Sequence, residues 1–111
     1  MLIDYLTSLS IFYLTLHVQC VNTEKFDPFI NRPRELDIIT EKCIIEVKSG
    51  TNGRRLVKQL SAQKRYAEYR NKQHIVFAPN FPTMARVNFQ RLGFNVVADF
   101  KSLIKAIKEY E

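Results

Sequence analysis

Apolar residues occur along this chain in short blocks whose period changes from one block to the next. Over residues 2–13, Leu2, Tyr5, Leu6, Leu9 and Phe12 or Tyr13 share one helical face, which predicts a short helix. From Leu14 the period drops to two. Leu14, Leu16, Val18 and Cys20 alternate with Thr15, His17, Gln19 and Val21, the pattern of a half-buried strand. Residues 22–34 are mostly polar, contain Pro28 and Pro33, and read as a loop. Residues 35–49 read as two strands rich in β-branched residues, Ile38-Ile39 and Ile44-Ile45-Glu46-Val47, turning at Glu41-Lys42.

Residues 50–53 (Gly-Thr-Asn-Gly) predict a turn. The chain from Arg54 to about Arg70 is its best helix former. Leu56, Leu60 and Ala67 take one face, Val57 its edge, and Gln59, Gln63, Tyr66 and Arg70 an adjacent polar stripe. Residues 75–78 (Ile-Val-Phe-Ala) form a continuous apolar run, the mark of a strand covered on both faces. Pro82 opens a helix that runs to about Leu92, and Gly93 stops it. A short strand over 94–98 precedes a last helix capped by Asp99, with Leu103, Ile104 and Ile107 facing inward. Phe77, Phe81, Phe89, Phe94 and Phe100 are expected in or near the core. The order α-β-β-β-α-β-α-β-α predicts a mixed α/β sandwich. Its first three strands form an antiparallel meander and its later strands pair in parallel.

Folding residues 35–49 about the midpoint of Glu41-Lys42 sets Thr40 opposite Cys43, Asp37 opposite Glu46 and Glu35 opposite Lys48. Opposed residues bring their Cβ atoms to about 5 Å. Two carboxylates at that separation repel by roughly 3 kcal/mol at an effective dielectric near 20. A cation between them relieves this, and a divalent metal with Lys48 beside it is the leading candidate. The bland reading is an exposed strand face with a Glu35–Lys48 salt bridge. Such a bridge contributes at most about 1 kcal/mol and leaves the facing carboxylates unexplained.

The chain has 111 residues, enough for one compact domain spanning 1–111. Its net charge is +6, and residues 31–72 carry the whole excess, with eleven Lys/Arg against five Asp/Glu. A basic segment around an acidic pair suits a polyanionic partner, whereas the same charges spread over a surface would only solvate it. Cys20 and Cys43 both fall in apparent strands and read as buried thiols, consistent with a reducing, cytoplasmic location. Polar residues from Asp4 to Gln19 interrupt the apolar start, and no basic segment leads it. Residues 2–21 therefore read as a core-forming helix and strand, or a dimerisation element over 2–16, rather than a signal peptide or membrane span. His17 and His74 have no partner at zinc spacing and read as structural.

Asp37, then Glu46-Val47-Lys48 across a hairpin, then a Gln-bearing helix and a buried strand, resembles the PD-(D/E)XK nuclease superfamily. Within it, Glu35-Leu36-Asp37-Ile38-Ile39 and Ile44-Ile45-Glu46-Val47-Lys48-Ser49-Gly50 are similar to restriction-endonuclease-fold toxin domains and Holliday-junction-resolvase-like proteins. The resemblance implies a restriction-endonuclease-like α-β-β-β-α-β core over residues 2–78, with an α-β-α extension after it. It also implies Mg²⁺-dependent cutting of nucleic acid, foremost DNA and in some members RNA. Leu36 stands where the family has Pro, and Asp4 is the acidic residue the predicted first helix offers.

On that reading Asp37, Glu46 and the Val47 carbonyl hold Mg²⁺, or Mn²⁺ in its place. Lys48 orients the attacking water or stabilises charge developing on the phosphate, and Gln59 assists from the helix. Arg54, Arg55, Lys58, Gln63 and Arg65 are the expected nucleic-acid contacts, with Lys64 and Arg70 in the same basic group. The alternative is a catalytically inactive module that binds nucleic acid or protein on the same fold, or a domain fused to or assembled with a larger partner. Tyr66 and Tyr69 read as packing residues rather than base-stacking platforms.

Overall fold

The computed structural model describes residues 20–50 and 56–110. Eight elements follow in order: β1 (Cys20–Asp27), β2 (Arg32–Ile39), β3 (Cys43–Val47), α1 (Leu56–Tyr69), β4 (Gln73–Phe77), α2 (Thr83–Arg91), β5 (Val96–Val97) and α3 (Phe100–Tyr110). The strands lie side by side in that order in one sheet. β1, β2 and β3 pair antiparallel, while β4 and β5 run parallel to β3. The chain is thus an α/β protein with a five-stranded mixed sheet and three helices among the described residues. The predicted helix over 2–13 and strand residues 14–19 lie outside them.

One expectation is overturned. Residues 22–34 are not a loop: all but the turn at 28–31 belong to β1 and β2. Their register runs Thr23↔Leu36, Glu24↔Glu35, Lys25↔Arg34, Phe26↔Pro33 and Asp27↔Arg32. β1 is an edge strand that buries little besides Asp27, so its sequence shows no apolar alternation to read. Pro33 is tolerated because this end of β2 pairs with β1 alone.

Helices cover both faces of the sheet. α3 sets Leu103, Ala106 and Ile107 against Ile38, Cys43, Ile45, Ile75 and Phe77. On the opposite face α1 sets Tyr66 and Ala67 against Leu36, Ile39 and Ile44. Leu60 of α1 and Phe89 of α2 pack there with Val76 and Val96, alongside Phe81 and Phe94. The continuous apolar run of β4 is explained by this double covering. Cys43 is fully buried.

The predicted Gly93 stop and Asp99 cap are both present. Asp99 caps α3, its Oδ1 accepting from the Ser102 N–H at 2.8 Å. Gly93 takes φ +96°, and the bonds Phe94 N–H to Phe89 and Gly93 N–H to Gln90 close α2 in a Schellman turn. No helix among the described residues is long and apolar enough to cross a membrane.

Candidate functional site

The β2–β3 register, Ile38↔Ile45 and Ile39↔Ile44, is the one expected from folding about Glu41-Lys42. Carried one residue further, it sets Asp37 opposite Glu46. There the ladder stops, and the Asp37 Oδ2 accepts the Val47 N–H at 2.7 Å instead. The β1–β2 ladder skips the same position, where Asn22, opposite Asp37, adopts φ +48°. β2 therefore turns at Asp37. The turn sends Leu36 to the α1 side together with Ile39, two positions that opposite-parity alternation would separate. β3 continues past the split against β4, with the Lys48 N–H donating to Phe77 O at 2.8 Å.

The split opens into a cleft of about 450 Å³. Asp37, Glu46, Val47 and Lys48 line it from the sheet, and Gln59 and Gln63 from α1. Every residue expected to be catalytic or metal-binding is thus brought to one cavity. The β1–β2 hairpin closes the far wall with Ile30, Arg32, Arg34 and Glu35. Arg32 and Arg34 were not among the expected site residues, because the segment carrying them read as a loop. The detectable signal was the turn at 27–31 (Asp-Pro-Phe-Ile-Asn) followed by Arg at alternate positions.

Asp27 anchors that wall. It is fully buried, and its Oδ2 accepts from Arg34 Nε at 2.6 Å. Its Oδ1 accepts the Phe29 N–H at 2.9 Å, which shapes the hairpin tip. Asn31 completes the turn in the left-handed region at φ +52°.

Glu46 is only 3% exposed. Its Oε2 lies 3.5 Å from Gln63 Nε2, and its Oε1 has no hydrogen-bond partner. Burial and the facing Asp37 carboxylate push its pKa up to about 8, against the pull of Lys48 and Arg34. Burial also raises the Asp37 pKa, moderated by the Val47 N–H and by Lys48. Near neutral pH Glu46 is therefore mostly protonated. An orphaned buried carboxylate oxygen facing a second carboxylate is a donor set that suits a hard divalent cation. Among the described residues no three His, Cys, Asp and Glu side chains are grouped to hold a metal. A cation here would take two carboxylates and complete its shell from backbone, water and substrate.

The expected nucleic-acid contacts divide. Gln63 is buried beside Glu46. Lys58 is exposed on α1. Arg65 stacks over the Phe29 ring, its guanidinium carbon 4.4 Å from the centroid. Lys64 donates to the Gly93 carbonyl at 2.8 Å, and Arg70 to the Tyr66 hydroxyl at 2.9 Å. Arg54 and Arg55 lie outside the described residues. Tyr66 is fully buried, as a packing residue should be, but Tyr69 is 57% exposed. His74 is buried on β4 with neither ring nitrogen hydrogen-bonded, and burial, with Lys64 and Lys48, pushes its pKa down to about 4. His17 lies outside the described residues.

No family model, curated protein or solved structure matches this chain.

Proposed function

We propose that this protein is a Mg²⁺-dependent nuclease of restriction-endonuclease-like fold, hydrolysing phosphodiester bonds of nucleic acid, with DNA as the leading substrate. The observation that carries the reading is the Asp37–Glu46 pair, a half-buried carboxyl facing a buried one at a strand split, with one Glu46 oxygen unpartnered. The β-β-β-α-β order from Cys20 to Phe77 supports it, as does the +6 net charge.

Asp37 and Glu46 would hold the cation, with the Val47 carbonyl as a further ligand. Bound Mg²⁺ would supply Lewis-acid polarisation of the phosphate and lower the pKa of a coordinated water. Lys48, in the same cleft, supplies a positive charge to a phosphate oxygen. Gln59 lines the cleft from α1 and orients water or backbone there. Gln63, its Nε2 3.5 Å from Glu46 Oε2, stands beside that carboxyl. The Asp37–Val47 hydrogen bond keeps one carboxylate in place before any ligand arrives.

The second reading is a silent module that binds nucleic acid or protein without cutting. Among the described residues two carboxylates face each other in the cleft and no third acidic or imidazole side chain is grouped with them to hold a metal, and that is the observation on its side.

Cleavage of supercoiled plasmid, single-stranded DNA and RNA with Mg²⁺, Mn²⁺ or EDTA separates the two. Metal-dependent cutting that Glu46→Ala and Lys48→Ala both abolish is the expected result. Folded wild-type protein that cuts none of them under any of these conditions overturns the nuclease reading.

A further inference from the structure

Two exposed aromatic rings stand on the same hairpin and helix that wall the cleft. Phe29, at the β1–β2 tip, is 47% exposed, and Tyr69, in the last turn of α1, is 57% exposed. Their centroids are 5.8 Å apart at an interplanar angle of 79°. Arg65 sits over the Phe29 ring at 4.4 Å. The ring pair clips the hairpin to the helix, yet each residue keeps about half of its surface in water. The tip that presents Phe29 is built: the Phe29 N–H is bound to Asp27, and Asp27 is buried against Arg34. Ile30, the next residue, lines the cleft, as do Arg32 and Arg34.

We infer that this aromatic–arginine surface is a stacking platform for unpaired nucleobases, and that the strand entering the cleft is single-stranded. The inference rests on the reading of the cleft as a phosphodiester site. Exposed rings beside guanidinium groups match the chemistry of a single strand: flat apolar bases joined by a phosphate every nucleotide. Bases paired inside a duplex keep their faces stacked on one another and cannot offer them to Phe29 or Tyr69. The chain path links platform and cleft: Phe29 is followed directly by Ile30, which lines the cleft, and Arg32 lies two residues further along the same wall. A strand with a phosphate in the cleft can therefore leave it past the hairpin tip, with Arg32 beside its backbone.

The test is equilibrium binding by fluorescence anisotropy in EDTA, so that cutting plays no part. Three probes of equal length are used: a single-stranded DNA oligonucleotide, the same sequence as a duplex, and an abasic strand of equal charge. The expected order is single strand tighter than duplex and tighter than abasic strand. Phe29→Ala and Tyr69→Ala should each weaken single-strand binding roughly tenfold and leave abasic binding unchanged, while Phe29→Trp retains affinity. Both side chains are substantially exposed, and circular dichroism melting confirms that each variant is folded.

Equal affinity for the base-bearing and abasic strands overturns the platform, because charge alone then accounts for binding. So does single-strand affinity unchanged in Phe29→Ala and Tyr69→Ala, or the absence of single-strand binding by folded wild type. The nuclease reading fails separately. Base-dependent binding without Mg²⁺-dependent cleavage sustains the platform and sinks the nuclease, whereas cleavage by Phe29→Ala and Tyr69→Ala at the wild-type rate on single strands does the reverse.

Discussion

Asp37 uses its side chain where β2 would otherwise use its backbone: its Oδ2 takes the Val47 N–H at 2.7 Å at the point where the β2–β3 ladder ends. One carboxylate thereby holds the strand split open and faces Glu46 across it. Asp37→Asn keeps an acceptor oxygen for the Val47 N–H, whereas Asp37→Ala leaves that donor without it. Thermal melts without metal should show Asp37→Ala destabilised by about 1–3 kcal/mol and Asp37→Asn nearer to wild type. Equal losses in the two variants would mean that the hydrogen bond contributes nothing to holding the split.

Glu46 and His74 should together contribute a plateau to the pH profile of stability. Unfolded, they titrate near 4.5 and 6.5; folded, near 8 and 4. Between pH 4.5 and 6.5 the unfolded chain carries its proton on His74 and the folded chain carries one on Glu46, so the two uptakes cancel. From 6.5 to 8 only the folded chain holds a proton, and stability falls as pH rises, by about 2 kcal/mol from these groups. Glu46→Gln should flatten that alkaline limb in denaturant titrations. A variant whose stability still falls as steeply would place the cause elsewhere.

His74→Leu replaces a buried ring with two unpartnered nitrogens by an apolar side chain. The wild-type imidazole contributes its share of stability above pH 6.5 and loses it as pH drops toward 4. The substitution should therefore raise the unfolding free energy more at pH 5 than at pH 8, by a difference of about 2 kcal/mol read from denaturant titrations. It should also remove the plateau, leaving a decline from pH 4.5 upward. An equal gain at both pH values would show that His74 does not titrate with folding.

Asp27→Ala leaves Arg34 without its buried counter-ion. Loss of one member of such a pair is expected to cost about 3–5 kcal/mol. It also frees the Phe29 N–H and loosens the hairpin tip, so hydrogen exchange at residues 28–31 should accelerate. Melting and exchange measured on the same variant check both effects, and an unchanged melt would show that the pair is energetically neutral.

Divalent cation should stabilise the wild type more at higher pH, because binding must displace the Glu46 proton. Calorimetric melts with and without Mg²⁺ at pH 6.5 and 8.5 measure this. Glu46→Gln should lose most of the increment at both values. An increment independent of pH and retained in Glu46→Gln would locate the cation away from the cleft.

Local spacing was enough to specify how residues relate within one element or across one tight turn. The two-residue interruption at Glu41-Lys42 determined the hairpin register, and with it the facing of Asp37 and Glu46. The α1 stripe, the doubly covered β4, the Gly93 stop and the Asp99 cap were legible for the same reason: each depends on neighbours a few positions away. Relations across the fold were not. β1 lies at a sheet edge and carries few buried residues, so its polar sequence concealed a strand and, with it, the arginine wall of the cleft. Leu36 joins Ile39 only because β2 turns at Asp37. Tyr69 meets Phe29, forty positions earlier, only because α1 lies across the β1–β2 tip. Such contacts depend on which surfaces the sheet and helices bury against one another, a choice made by the packing of the whole chain rather than by the period of any one segment.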